Sequence, residues 1–208
     1  MSRRTPDAVA KKPDTRAWQR MLSGRRLDLI DPSPLDVEID DIAHGLARVA
    51  RWNGQTTGAN AFSVAQHTLI VDDAARAMNP RIAPRERLAI MLHDAPEYVI
   101  GDLISPFKVL LGGEYRAVEA RLLAAIHLRF GLPPTLPEPM TAMIKAADRV
   151  AAYHEAIALA GFSEAEARRY FGRSTAGDPS KFDLTAWSAT VAERRFLKRF
   201  REIEALGQ

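Results

Sequence analysis

The chain has 208 residues, of which 47% are hydrophobic, and it carries a formal net charge of +3 with a pI near 9.4. This length and apolar content suit one well-buried domain, and no stretch approaches the roughly 20 apolar residues of a membrane helix. Cysteine is absent, which excludes disulfides, thiolate metal sites and a cysteine nucleophile.

The positive charge is concentrated at the N-terminus. Residues 1–26 hold eight Lys or Arg against two Asp, a net of +6 that exceeds the +3 of the whole chain. We therefore expect 1–26 to be a basic, flexible arm and 27–208 to be one domain with no overall attraction for nucleic acid. The first residues lack the apolar run of a secretory signal, which together with the missing cysteine favours a cytoplasmic protein.

Helical periodicity runs through most of the expected domain. A turn or small hairpin is predicted within 27–39, where Asp-Pro-Ser-Pro interrupts short apolar alternations. A proline-rich connector is predicted at 132–139. The predicted helices cover 40–52, 62–78, 84–95, 114–130, 141–159 and 184–206.

These elements predict an all-α fold, a single helical bundle preceded by a short irregular or hairpin segment. The last helix, 184–206, is long and amphipathic with a basic face, and we expect a homodimer on that ground. No membrane partner is expected.

Two imidazoles and two carboxylates occur on three of the predicted helices, at His67, His93, Asp94 and Asp148. Imidazole nitrogen and carboxylate oxygen together suit Mn, Co, Ni, Fe or Zn. On a helix the neighbours His93 and Asp94 point about 100° apart, so both reach one ion only if it lies between their two faces. The four residues predict a site for one divalent transition metal.

Four protein ligands around a six-coordinate metal leave two positions open, one for a water molecule and one for a substrate oxygen. Glu97 lies four residues after His93 and three after Asp94, so on a helix it projects into the same space. We interpret Glu97 as the group that transfers protons.

The other histidines are interpreted as structural, because an isolated histidine on an apolar helix is more often hydrogen-bonded than a ligand. They are His44, His127 and His154. Only one further histidine, His127, lies between Asp94 and Asp148 and could serve a second metal. A single metal is therefore expected.

The segment from His93 to Lys108, which reads His-Asp-Ala-Pro-Glu-Tyr-Val-Ile-Gly-Asp-Leu-Ile-Ser-Pro-Phe-Lys, and the later Ile-Lys-Ala-Ala-Asp-Arg ending at Arg149 carry a resemblance. Together with His67 they resemble the HD-domain metal-dependent phosphohydrolases, most closely the YfbR-like bacterial 5'-deoxynucleotidases. The resemblance covers roughly residues 43–160. The segment before Arg51 is similar instead to prophage-type members of the same superfamily.

This resemblance implies an HD-domain bundle that removes the 5'-phosphate from nucleoside monophosphates. It implies that Glu97 is the catalytic carboxylate, that Arg51 and Trp52 hold the phosphate and pack on the sugar, and that Asp102 lies near the deoxyribose. It also implies the metal ligands, which are His67, His93, Asp94 and Asp148.

Three alternatives remain open from the sequence. One is an HD-type deoxynucleoside triphosphate triphosphohydrolase, because Lys108, Lys145 or Arg149 could bind a longer phosphate chain. A phosphodiesterase is disfavoured, because the two-metal HD phosphodiesterases have further histidines between the His-Asp pair and the final Asp, where this chain has only His127. A non-catalytic nucleotide-binding module is disfavoured because the ligand set and Glu97 are all present.

Overall fold

The computed structural model describes residues 16–172 and 182–207. Within them the architecture is almost wholly helical, with one short hairpin near the N-terminus, so the predicted all-α class is confirmed. Two single 3₁₀ turns cover Pro34–Asp36 and Arg51–Gly54. The strands and helices are β1 (Trp18–Arg20), β2 (Arg26–Asp28), α1 (Ile39–Leu46), α2 (Val64–Met78), α3 (Pro84–Met91), α4 (Glu97–Ile100), α5 (Ser105–Leu111), α6 (Gly113–Arg129), α7 (Glu138–Ala158), α8 (Glu164–Phe171) and α9 (Ala189–Leu206).

The hairpin pairs β1 with β2 in antiparallel register, with Gln19 opposite Leu27. Leu27 is fully buried, and Asp41 of α1 accepts hydrogen bonds from the backbone N–H and hydroxyl of Ser23 at 2.9 and 2.6 Å. The hairpin therefore lies closer to the N-terminus than the predicted 27–39. Its first strand falls inside the segment that we expected to be a flexible arm. Residues 1–15 of that arm lie outside the described ranges.

Helix α2 is the centre of the bundle. It packs against α7, α9 and α3, and its residues are buried on nearly all sides, as expected for a helix without a continuous polar face. The helix begins at Ser63, whose side chain accepts a hydrogen bond from the Gln66 N–H at 3.2 Å. The contact between α2 and α7 is the most extensive one that α2 makes.

Helix α9 buries Ala192, Phe196, Phe200 and Ile203 against α1, α2 and α3. The apolar face that suggested a homodimer is thus covered within the chain itself. No helix of the described residues combines the length and apolar character that a membrane crossing requires.

The start of α9 differs from the prediction, since residues 184–188 are not helical. The side-chain amide of Gln66 donates to the carbonyl oxygens of Asp183 and Thr185, both at 2.9 Å, and accepts from the Trp187 N–H at 3.1 Å. Because these backbone groups bond to a side chain of α2, the helix begins later, at Ala189.

Two predicted helices near the site end early. Helix α1 stops at Leu46 rather than residue 52, because the following chain turns extended and Ala50 pairs with Ser63 in an antiparallel bridge. Helix α3 stops at Met91 rather than residue 95, and 92–96 form a turn before α4. Contrary to the prediction, none of the four site residues in these segments lies on an α-helix; they are Arg51, Trp52, His93 and Asp94.

Three short helices were not predicted, namely α4, α5 and α8. Each has eight residues or fewer, too few to display a clear periodicity. Helix α8 did carry a recognisable start, because Ser163 and Glu166 form a reciprocal capping box.

Candidate active site

Four predicted ligands converge where α2, the 92–96 turn and α7 meet. The His67 Nε2 atom lies 3.2 Å from Asp148 Oδ1 and 3.6 Å from Asp94 Oδ2, and the His93 Nε2 atom lies 3.1 Å from the same Asp94 oxygen. His67, His93 and Asp148 each offer one ligand atom within 4.8 Å of the others. These three residues form a group that could hold a metal ion, and Asp94 borders it.

The turn solves the geometric difficulty posed by adjacent ligands. Its backbone is closed by hydrogen bonds from the His93 N–H to the Ile90 carbonyl at 3.2 Å and from the Glu97 N–H to the Asp94 carbonyl at 3.0 Å. Since His93 and Asp94 lie outside a regular helix, their side chains are not held about 100° apart. Both can point to one position.

Each imidazole is held through its Nδ1 atom. The His67 Nδ1 lies 2.5 Å from Glu155 Oε1, and the His93 Nδ1 lies 2.7 Å from the Ile90 carbonyl oxygen. Both acceptors favour a proton on Nδ1, which leaves the Nε2 lone pair free for a metal. Both Nε2 atoms are buried and make no hydrogen bond, so a cation between them and the carboxylates fits these residues.

The charges around His67 favour a cation. Burial would lower the pKa of His67, as would nearby Arg51, but the carboxylates of Glu155 and Asp148 outweigh both and raise it to about 10. Without a metal the imidazole is thus protonated at neutral pH. A divalent ion would supply positive charge at the same place.

Glu97 opens α4 and is 2% exposed. Burial, followed by the charges of Asp94 and Asp102, raises its pKa to about 9. Its Oε1 lies 3.3 Å from the Lys108 Nζ, and its Oε2 is buried without a hydrogen-bond partner. The metal-free site therefore contains a neutral carboxyl group that can donate a proton.

Lys108 on α5 lies between two acidic side chains. Its Nζ lies 3.3 Å from Glu97 and 3.2 Å from Glu119 of α6. The structure thus places Lys108 at the wall of the site, where it keeps a positive charge beside Glu97. Its predicted contact with substrate stays a prediction.

Arg51 is largely buried and sits between two carboxylates. Its Nη1 donates to Asp102 Oδ2 at 3.1 Å and its Nη2 to Glu155 Oε2 at 3.4 Å, while its Nε is buried without a partner. Burial would lower the pKa of Arg51, but Glu155 and Asp102 raise it. The guanidinium therefore stays charged, and its buried Nε–H has no partner.

Trp52 is aimed at the same carboxylate by an unusual backbone. Trp52, Asn53 and Gly54 all have positive φ, at 57°, 52° and 72°, so the 3₁₀ turn is left-handed. The Trp52 Nε1 donates to Glu155 Oε2 at 3.0 Å. On its other side the indole packs on Phe162 and on Phe171 of α8, with ring centroids 5.7 and 5.6 Å away.

Glu155 was missed by the sequence analysis, although it touches His67, Arg51 and Trp52. It lies on α7, seven residues after Asp148, so both side chains leave the same face of the helix. It is fully buried. His67 and Arg51 lower its pKa to about 2, against the raising effect of burial, which is the largest single influence. An acidic residue within a buried helical stretch was the available signal.

The remaining candidates lie outside this cluster. Lys145 and Arg149 are exposed on α7, on either side of Asp148. His44 lies at the surface 3.4 Å from Glu193. The other two histidines are buried elsewhere in the bundle, His127 on α6 and His154 on α7 against the Phe182 ring.

Comparisons with known proteins give relatives without a described activity. No family model matches the chain. An uncharacterized protein of Rhodobacter capsulatus is 63% identical over 158 residues, which are 76% of this chain and 81% of that protein. The uncharacterized protein YfdR of Escherichia coli K12 is 31% identical over 106 residues, 50% of this chain and 53% of YfdR. The matched part of the chain thus spans about half of YfdR.

Proposed function

We propose that this chain, which belongs to the same family as the uncharacterized Rhodobacter capsulatus protein, is a metal-dependent phosphohydrolase of the HD type. Its substrates are (deoxy)ribonucleoside 5'-monophosphates, from which it removes the phosphate. The HD assignment rests on the order His67, His93-Asp94, Asp148 and on the helices that surround it.

One observation carries the proposal. Two imidazoles present buried, unbonded Nε2 atoms toward Asp94 and Asp148, while their Nδ1 atoms are held by Glu155 and a carbonyl oxygen. Histidines that served only packing would not need to meet carboxylates in this way. The mixed nitrogen and oxygen donors suit a transition metal better than calcium.

When bound, a divalent cation polarises a phosphate oxygen and lowers the pKa of a water molecule. Arg51 holds the phosphate by charge-assisted hydrogen bonds and neutralises its developing charge. Glu97 transfers the proton between the attacking water and the leaving 5'-oxygen. Water attacks phosphorus in line, the bond to the 5'-oxygen breaks, and no covalent enzyme intermediate is required.

Trp52 and Asp102 complete the proposed nucleoside pocket. The indole lies beside Arg51, whose guanidinium carbon is 5.8 Å from its ring centroid, so a sugar attached to the bound phosphate would meet this ring. Asp102, held by Arg51, offers an acceptor for a sugar hydroxyl. These contacts favour a nucleotide over inorganic or aliphatic phosphates.

A triphosphohydrolase is the alternative function. Lys108 contributes a second positive charge at the wall of the site, beside Glu97, and the exposed Lys145 and Arg149 flank Asp148. A longer phosphate chain could use these cations. The products distinguish the two reactions, because one releases orthophosphate and the other tripolyphosphate.

A product screen tests the proposal. Nucleoside mono-, di- and triphosphates are supplied separately with Mn²⁺, Co²⁺, Ni²⁺, Mg²⁺ or Zn²⁺, and orthophosphate and tripolyphosphate are both measured. We expect orthophosphate from monophosphates with at least one transition metal, and none from the Asp94→Asn variant, because an amide is a poorer ligand than a carboxylate. No release from any nucleotide with any metal would refute the proposed activity.

A further inference from the structure

The carboxylate of Glu155 is shared by two parts of the site. Its Oε1 lies 2.5 Å from the His67 Nδ1. Its Oε2 accepts from the Trp52 indole at 3.0 Å and from the Arg51 guanidinium at 3.4 Å. The residue is fully buried on α7, so these three side chains, rather than water, satisfy its oxygens.

We infer that Glu155 is a positioning residue that couples metal binding at His67 to the phosphate-binding pair Arg51–Trp52. The role assigned to that pair rests on the proposed function, whereas the effect on metal binding does not. Any displacement of the carboxylate changes the orientation of the imidazole and of the indole together. One carboxylate then determines the side-chain orientation at both the metal site and the proposed substrate site.

Glutamate is required here by its hydrogen-bonding capacity. All three of its partners present N–H donors, and only a carboxylate can accept on both oxygens. A glutamine has the same shape but offers one accepting oxygen, while its NH₂ group would face either the imidazole N–H or the indole N–H. One of the two contacts must therefore be lost, whichever way the amide is turned.

An aspartate is also inadequate. It keeps the charge and both acceptors, but it is shorter by one methylene group, and the two contact sets lie at opposite oxygens of Glu155. A shorter side chain on the fixed backbone of α7 cannot reach both. Asp148, on the same helix face, is already directed at the other imidazole nitrogen and cannot replace it.

The inference predicts a loss of metal affinity that needs no turnover to be seen. Full-length protein is stripped with a chelator and titrated with Co²⁺, whose absorption reports the coordination directly. Outer groups that orient metal-bound histidines typically change metal affinity by about 10- to 100-fold. We expect Glu155→Gln to weaken Co²⁺ binding by that factor.

Asp72→Asn is the matched control. Like Glu155, Asp72 is a fully buried carboxylate. It lies on α2 and pairs with Arg87 and Arg199 away from the site. We expect it to lower the melting temperature and leave Co²⁺ affinity unchanged. Unchanged Co²⁺ affinity in Glu155→Gln, or an equal loss in both variants, would overturn the positioning role.

Trp52→Phe tests the coupling even if Glu155→Gln does not fold. It removes the indole N–H that donates to Glu155 and keeps an aromatic ring on Phe162 and Phe171. Although Trp52 touches none of the ligands, we expect Co²⁺ affinity to fall about 2- to 10-fold, the scale of one hydrogen bond. Wild-type Co²⁺ affinity in this variant would show that the metal site and the Arg51–Trp52 pair are independent of each other.

These results are separable from the proposed reaction. A weakened Co²⁺ site in Glu155→Gln supports the inference even if the wild-type protein releases no phosphate from nucleotides. Conversely, an active wild-type phosphohydrolase with unaltered Co²⁺ affinity in Glu155→Gln contradicts only the inference.

Discussion

Gly45 of α1 contacts Tyr98 of α4 so closely that a Cβ atom at position 45 would lie 2.7 Å from the Tyr98 Cβ and 2.9 Å from its carbonyl oxygen. Only glycine permits this approach between the two helices. Since Tyr98 directly follows Glu97, the contact also sets the position of the proposed proton-transfer group.

Gly45→Ala should therefore destabilise the protein and displace α4. Overpacking of this kind costs about 1–3 kcal/mol, and we expect turnover to fall with it because Glu97 moves. Thermal unfolding and phosphate release measure the two effects. Gly113→Ala is the control, since nothing lies within 4 Å of its added Cβ; it should be neutral or slightly stabilising. A wild-type melting temperature for Gly45→Ala would contradict the close contact.

Arg51→Lys keeps the positive charge and loses the planar fork. A lysine cannot contact Asp102, Glu155 and a phosphate at once, so we expect turnover to fall by about 10²-fold, the scale of one lost transition-state donor. Metal content at saturating metal should stay near that of the wild type, because the lost contact with Glu155 weakens metal affinity only by about 2- to 10-fold, the scale of one hydrogen bond. Arg48→Lys provides the comparison, because Arg48 forms a surface ion pair with Glu193 at 2.7 Å. Equal kinetics for the two variants would remove Arg51 from the phosphate site.

Glu97→Gln keeps the size and neutral character of the buried side chain but cannot exchange a proton. We expect turnover to fall by about 10²- to 10⁴-fold, as for loss of a general acid or base, with metal content preserved. Glu119→Gln alters the other carboxylate near Lys108 and should retain most activity. A parallel loss of metal in Glu97→Gln would make Glu97 a ligand instead.

The stability of the metal-free protein should depend on pH through His67. Its pKa is raised from 6.5 to about 10 in the folded state. The protonated ring therefore contributes its full stabilisation of the folded state below pH 6.5, and this stabilisation is lost as pH rises through about 10. We expect the melting temperature of stripped protein to fall over this window, and saturating metal to reduce the fall because a metal-bound imidazole carries no second ring proton. Thermal scans from pH 6 to 10 measure this.

His67→Gln should flatten the profile of the stripped protein, since it removes the titrating ring. His44→Gln changes a surface histidine and should leave the profile as in the wild type. Identical pH profiles for stripped wild type and His67→Gln would rule out His67 as the source of the pH dependence of the melting temperature.

The all-α class and the convergence of His67, His93 and Asp148 could be predicted from sequence, because periodicity and residue type report burial and donor chemistry directly. The conformation of residues 92–96 could not be predicted from the sequence. A run of apolar residues before His93 is compatible with a continuing helix, and only the packing of α4 on α1 decides that the chain turns.

Arg51 and Glu155 illustrate two further limits. The helix predicted through residue 52 was wrong because its end depends on the bridge between Ala50 and Ser63, a tertiary contact that local propensity does not contain. Glu155 was overlooked because its partners come from residues about 88 and 103 positions away. A buried acid at helical spacing from a predicted ligand is the pattern that would have identified it.

The left-handed turn at Trp52 and Asn53 sets local backbone energy against tertiary contacts. A non-glycine residue in this region costs about 1–2 kcal/mol, and tryptophan has no short polar side chain to compensate. The conformation persists because Glu155, Phe162 and Phe171 hold the indole. A peptide spanning this segment alone would relax to another shape. The surface that we propose for the phosphate and the sugar is thus a property of the completed bundle and would not form in the isolated loop.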